Sequence, residues 1–218
     1  MSVQNPTATG AISREAARSP ETVDARSGGG IKIADPGPLG LAAFALTTFV
    51  LSMFNADLVS RSGEAVTFGL ALSYGGLAQL LAGMWEFRTG NTFGAVAFTS
   101  YGAFWLSYWA FVQFYASSVP AADAGHAVGL YLIAWGIFTA YMFIASLRTT
   151  GAIATVFILL AVTFFLLGIG NARASDTLIK AGGWFGLATA IAAWYASFAA
   201  VTNSTFGRTV LPIVPLKR

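Results

Sequence analysis

Thr99, Ser100 and Tyr101 stand in a row inside NTFGAVAFTSYGAFW, residues 91 to 105, a stretch that carries no charge. Thr47, Thr48, Gln79, Asn91, Thr92 and Asn171 are likewise neutral polar residues set in or beside apolar sequence. Such side chains offer hydrogen-bond donors and acceptors. They can hold a small polar solute, but they supply no activated nucleophile. The chain has no cysteine and one histidine, His126. Thiolate sites and histidine clusters are therefore excluded, and neither a metal nor a cofactor is expected. With no recognisable nucleophile–base set, an enzyme is the least expected class. His126 reads as a solvated loop residue.

The segments that must position these residues are apolar. Of 218 residues, 56% are hydrophobic and 10% are charged, where a soluble domain carries about 25% charged residues. Mean hydropathy is +0.68. Six runs approach the roughly 20 residues that cross a bilayer as a helix: 38–57, 66–87, 93–115, 126–147, 151–171 and 178–201. The expectation is an all-α integral membrane protein with six spans. Residues 1–34 are polar and end in Ser-Gly-Gly-Gly-Ile-Lys-Ile-Ala; without an apolar h-region they read as a disordered tail rather than a signal peptide. Residues 35–203 form the transmembrane domain and 204–218 a second tail.

Nine of the 12 cationic residues fall on the side of the N-terminus and three, Arg61, Arg173 and Lys180, on the other. Cytoplasmic loops carry the excess of Lys and Arg, so both termini are expected in the cytoplasm and the Ser117–Gly125 loop outside. The small net charge of +3 gives no nucleic-acid footprint. Asp57 and Glu86 fall at span ends, where Glu86 can reach Arg88 or the interface. No carboxylate is expected at mid-bilayer, where it would cost about 2.5–3.5 kcal/mol.

Spacing decides which residues share a face. Gly75, Gly76, Gln79, Gly83 and Glu86 recur at three- and four-residue steps, a single stripe. Gly40, Phe44, Thr47, Thr48, Leu51 and Asn55 form another, and Leu160, Thr163, Phe164, Leu167 and Asn171 a third. Three consecutive residues span about 200° of a helix, so Thr99, Ser100 and Tyr101 cannot all face one cavity. Thr99 and Ser100 are expected to bond to their own or a neighbouring helix, and Tyr101 to reach a cavity. The glycines read as close-packing positions. The small-residue stripes of spans 2 and 6 exceed the needs of one bundle, which predicts a homo-oligomer. Pro38 suits a first helical position. The N–H groups of Leu39, Gly40 and Leu41 then form an anion-attracting mouth, unless Pro and Gly merely start the helix.

DPGPLGLAAF (35–44) resembles the NPxPLGL signature of the acetate uptake transporters, the GPR1/FUN34/YaaH family of acetate–succinate permeases. YGGLAQLLAGMWEFRTGNTFGAVAFTSYGAFW (74–105), LGIGN (167–171) and FGRTVLP (206–212) are similar to further family stretches. The resemblance extends from Asp35 to Pro212. Asp35 stands where the family usually has Asn, which adds a negative charge at the mouth, and Gly37 replaces the commoner Ala. The resemblance implies a six-helix protomer assembled as a homohexamer in the cytoplasmic membrane, a pathway through each protomer, and acetate or succinate as substrate, with or without a proton. It also implies a narrow apolar constriction, carried here onto Phe44, Tyr101 and Leu160. Gln79, Asn91, Thr92 and Asn171 match near the pathway or its supports, and Thr47, Thr48 and Thr99 are further polar candidates.

Transport of a small carboxylate fits this chemistry: neutral donors for the carboxylate, and Phe and Leu for the methyl. A channel for a neutral solute (urea, ammonia or an undissociated acid) is a second expectation, and a membrane sensor or scaffold without flux is a third.

Overall fold

Local chemistry starts the first span. Asp35 Oδ1 accepts the Gly37 N–H at 2.8 Å, and Pro38 occupies the first turn, where its missing N–H costs nothing. Helix α1 then runs Gly37–Asn55. The computed structural model describes Met1 and residues 33–216; the expected N-terminal tail, with its four cations, and the last two residues lie outside them. After α1 come α2 (Val66–Leu72), a π-helical turn (Ser73–Ala78), α3 (Gln79–Thr89), α4 (Thr92–Ala110), α5 (Ala121–Ser146), α6 (Gly151–Ala172) and α7 (Asp176–Phe206).

Five segments are long and apolar enough to cross a membrane: α1, the continuous run Val66–Thr89, α5, α6 and α7. Helix α4 is 19 residues long, but its hydroxyls and its Tyr101, Trp105, Tyr108 and Trp109 lower its hydropathy. The loop expected over Ser117–Gly125 is shorter than that, because Pro120 precedes a helix that already begins at Ala121. Gly125 lies inside this helix, where a Cβ would stand 2.8 Å from the Asn171 carbonyl oxygen.

Glycines set the helix spacing. A Cβ on Gly75 would meet Thr47 of α1, one on Gly102 would meet Leu80 of α3, and one on Gly83 would overlap Thr99 of α4. On α7, Gly182 lies against Leu167, Gly183 against Ala56 and Gly186 against Ser52. Both small-residue stripes are thus used inside one protomer, and they carry no argument for an oligomer. At the far end, Lys180 pairs with Asp57 at 2.6 Å and ties the turn after α1 to α7.

Residues 207–216 do not trail away. Asn203 Oδ1 accepts the N–H groups of Val210 (2.7 Å) and Leu211 (2.9 Å). Gly151 N–H donates to Val214 O at 2.8 Å and Leu216 N–H to Thr149 O at 3.1 Å, around an antiparallel bridge between Thr150 and Pro215. This strap lies against α7 and the α5–α6 turn.

Candidate functional site

Two cavities run into the bundle from opposite ends of α1. The lower one, about 300 Å³, opens among Asp35 and Gly37, Asn91, the Thr149–Thr150 turn and Ile213 of the strap. The upper one, about 320 Å³, opens among Asn55, Arg61, Glu64 and Asn171. Phe44 of α1 and Leu160 of α6 line both. They are 5% and 4% exposed and form the septum between the cavities. Tyr101 backs it on the lower side and Phe104 on the upper. The Phe44 and Tyr101 rings lie 5.8 Å apart, and Phe138 (5.4 Å) and Phe157 (6.1 Å) also contact Tyr101. The three residues expected to constrict a pathway are brought together.

Tyr101 lines the lower cavity, as expected, and its hydroxyl is hydrogen-bonded within the protein. The hydroxyl lies 2.9 Å from Thr139 Oγ1, and Thr139 spends its own proton on Trp135 O at 2.7 Å. The Tyr101 O–H therefore donates to Thr139. That hydroxyl thus has a protein partner.

The polar candidates divide. Gln79 is 1% exposed, lines the lower cavity, and has no protein partner for either amide atom. A buried polar group left without a partner calls for an explanation, and a ligand donor supplies one. Thr48 lines the upper cavity with an unpartnered hydroxyl, and Asn171 lines it while donating to Leu167 O at 2.8 Å. Asn91 caps α4 through Gly94 N–H (3.1 Å) at the lower mouth. Thr47, Thr92 and Thr99 line neither cavity. Thr47 donates to Ala43 O at 2.9 Å and packs on Gly75, and Thr92 is exposed at the start of α4. Thr99 packs on Gly83 without the hydrogen bond expected of it.

The anion mouth at Leu39, Gly40 and Leu41 does not form as expected. The helix begins one residue earlier, Gly40 N–H donates to Pro36 O at 3.1 Å, and the Asp35 carboxylate occupies the helix start through Gly37. Leu41 lines the lower cavity; Leu39 and Gly40 do not.

Two buried residues have surroundings that the sequence reading does not give. Trp105, 2% exposed, lines the upper cavity with an unpartnered indole N–H. Glu86 is 2% exposed and lines the lower cavity. It makes no ion pair with Arg88, since the one ion pair among the described residues is Lys180–Asp57.

The profile of the GPR1/FUN34/yaaH family matches residues 22–218. The chain is 42% identical over 197 residues to acetate permease A of Emericella nidulans, covering 84% of this chain and 66% of the permease. It is 41% identical over 185 residues to the succinate-acetate/proton symporter SatP of Escherichia coli, covering 85% of this chain and 97% of the symporter. A solved structure of the bacterial acetate channel SatP superposes with a TM-score of 0.78 at 41% identity, covering 84% of this chain and 99% of the other. The paired cavities and their apolar septum thus sit in a fold shared with an acetate channel, and the chain belongs to the GPR1/FUN34/yaaH family.

Proposed function

We propose that this chain carries acetate, and more slowly larger carboxylates such as succinate, across the cytoplasmic membrane. The route runs through the two cavities and between Phe44 and Leu160. One observation carries the reading: on each side of an apolar septum stand buried donors without protein partners, Gln79 below and Thr48 and Trp105 above. An apolar constriction opposes hydrated ions, because confined water is poorly hydrogen-bonded there. A small carboxylate trades water for the donors and lays its methyl against the septum. The names of the two relatives, an acetate permease and a succinate-acetate/proton symporter, support this substrate class and a part for the proton.

Six spans per protomer, both termini in the cytoplasm and a homohexamer belong to the same reading. The 19 residues of α4 are enough for a crossing. The cation bias supports the orientation. An exposed apolar face on α5 (Leu130, Ile137, Tyr141, Ile144) offers a surface for lipid or for a second copy. A cysteine placed at exposed Ser118 labels from outside, and one at exposed Thr209 does not; the reverse pattern overturns the orientation. A monodisperse monomer that retains flux, seen by native mass spectrometry, overturns the oligomer.

A channel for neutral solutes remains the second reading. It is favoured by the lack of any cation among the described residues lining either cavity except Arg61 at the upper mouth. Flux of acetate, lactate, succinate and urea into liposomes of purified protein, with and without a pH gradient, separates the two. Urea moving as fast as acetate overturns the carboxylate reading.

A further inference from the structure

Glu86 occupies a niche made by several elements. A Cβ on Gly94 of α4 would come 2.6 Å from its Oε1, and one on Gly37 of α1 3.4 Å from it; both positions are glycine. Thr89 donates its hydroxyl to Glu86 Oε2 at 3.0 Å, and the Asn91 amide faces the same carboxylate. From just before α1 the Asp35 carboxylate faces it across Gly37. Arg88 is exposed two residues on. Arg148 precedes the α5–α6 turn and has an interaction of its own. The α5–α6 turn and the strap present Thr149, Thr150 and Ile213 to the cavity. Among the described residues no cation lies within ion-pair distance of Glu86.

An ionised carboxylate withdrawn from water without a counter-charge is costly, whereas its neutral acid is not. Glu86 also shares its cavity with Gln79, two helical turns away on the same face. The unpartnered amide of Gln79, 1% exposed, is the group that would hold a substrate carboxylate there. A substrate anion entering that space meets the charge of Glu86 and, at the mouth, that of Asp35.

We propose that Glu86 is the proton-binding gate of the pathway: protonated, it admits a carboxylate anion to the lower cavity, and ionised, it repels one. The proton comes from water at the mouth and returns to it, so no other reactant is needed. Asp35 adds a second negative charge that favours the protonated gate. The inference rests on the transport reading above.

The test measures initial rates of labelled acetate uptake by the purified full chain in liposomes, from pH 5.5 to 8. The same pH is held on both sides, acetate anion concentration is constant, and leak into protein-free liposomes is subtracted. The wild type is expected to slow several-fold as pH rises. Glu86→Gln, a permanently neutral gate, is expected to keep the fast rate at every pH within about twofold. Asp35→Asn retains the side-chain oxygen that caps Gly37. It is expected to keep the fall but move its midpoint to lower pH, because removing a neighbouring like charge makes ionisation of the gate easier. A Glu86→Gln profile that follows the wild type, or one without flux at any pH, overturns the proposal. If Glu86→Gln does not fold, Asp35→Asn decides alone, and an unshifted midpoint overturns it. A wild type that carries no acetate at any pH removes the transport reading and this inference with it. Acetate flux in the wild type with no pH dependence leaves transport standing and removes the gate.

Discussion

Leu160→Ala truncates one of the two residues shared by both cavity walls. Leu160 is 4% exposed and borders a cavity on either side. A buried Leu→Ala in a filled core costs about 2–5 kcal/mol. Here the two cavities already border the side chain, and the loss belongs near the lower end, about 2 kcal/mol. The larger effect falls on transport. Removing three carbons joins the cavities and relieves the clash that a four-carbon dicarboxylate meets. Lowering its barrier by about 1.4 kcal/mol raises its rate tenfold, whereas acetate, which already fits, gains little. The assay is the succinate-to-acetate flux ratio in liposomes, normalised to folded protein, beside a thermal melt. A rise of several-fold is expected, and Phe44→Ala should act in the same direction. If Leu160→Ala lowers both fluxes in proportion to folded protein and leaves the ratio unchanged, the septum is packing alone and the reasoning fails.

Tyr101→Phe should melt earlier by the loss of one buried hydrogen bond, about 1 kcal/mol, and leave the flux ratio intact, because its hydroxyl serves Thr139; a change in ratio would restore the hydroxyl to the pathway. Gln79→Leu should fold as well as the wild type or better, since neither amide atom has a protein partner, while acetate flux falls at least about tenfold; full flux would remove Gln79 as a donor. The Lys180 ammonium beside Asp57 holds that carboxyl below the usual carboxylate range. A depressed acid group stabilises the fold above its ordinary range and ceases to do so as pH falls through its folded value. Asp57→Asn should therefore melt slightly earlier than wild type at neutral pH and indistinguishably near about pH 2. For so exposed a pair the effect is small, and a gap that widened on acidification would reverse the sign.

Periodicity made the inward stripes legible: Gly75, Gly76, Gln79, Gly83 and Glu86 are all buried along one side of the second span; the grouping of Phe44, Tyr101 and Leu160 came from the family resemblance instead. It gives a direction around one helix but not the neighbour met there, which is why Thr47 and Thr99 turned out to face glycines across helix–helix contacts instead of a cavity. Glu86 was misjudged for a related reason. Its distance along the chain from Arg88, Thr89 and Gly90 suggests an interface, yet its burial comes from Gly37 and Gly94 on other helices, each lacking the Cβ that would fill the niche. The π-helical turn Ser73–Ala78 adds a residue to one turn just before Gln79, a local register change that no hydropathy pattern encodes. The strap rests on Asn203 and on backbone pairing near Thr150, contacts made after the chain reverses, whereas the sequence reading made residues 204–218 a tail.

The chain has no cysteine of its own, so a single Leu160→Cys places one thiol at the septum. That thiol can be modified by a small water-soluble thiol reagent reaching it through either cavity. Labelled acetate uptake into liposomes, measured before and after modification that mass spectrometry shows to be complete, tests directly whether acetate passes between Phe44 and Leu160. The account predicts that the added group blocks uptake by more than about tenfold and that acetate present during treatment slows the modification. Undiminished uptake through fully modified protein would contradict it.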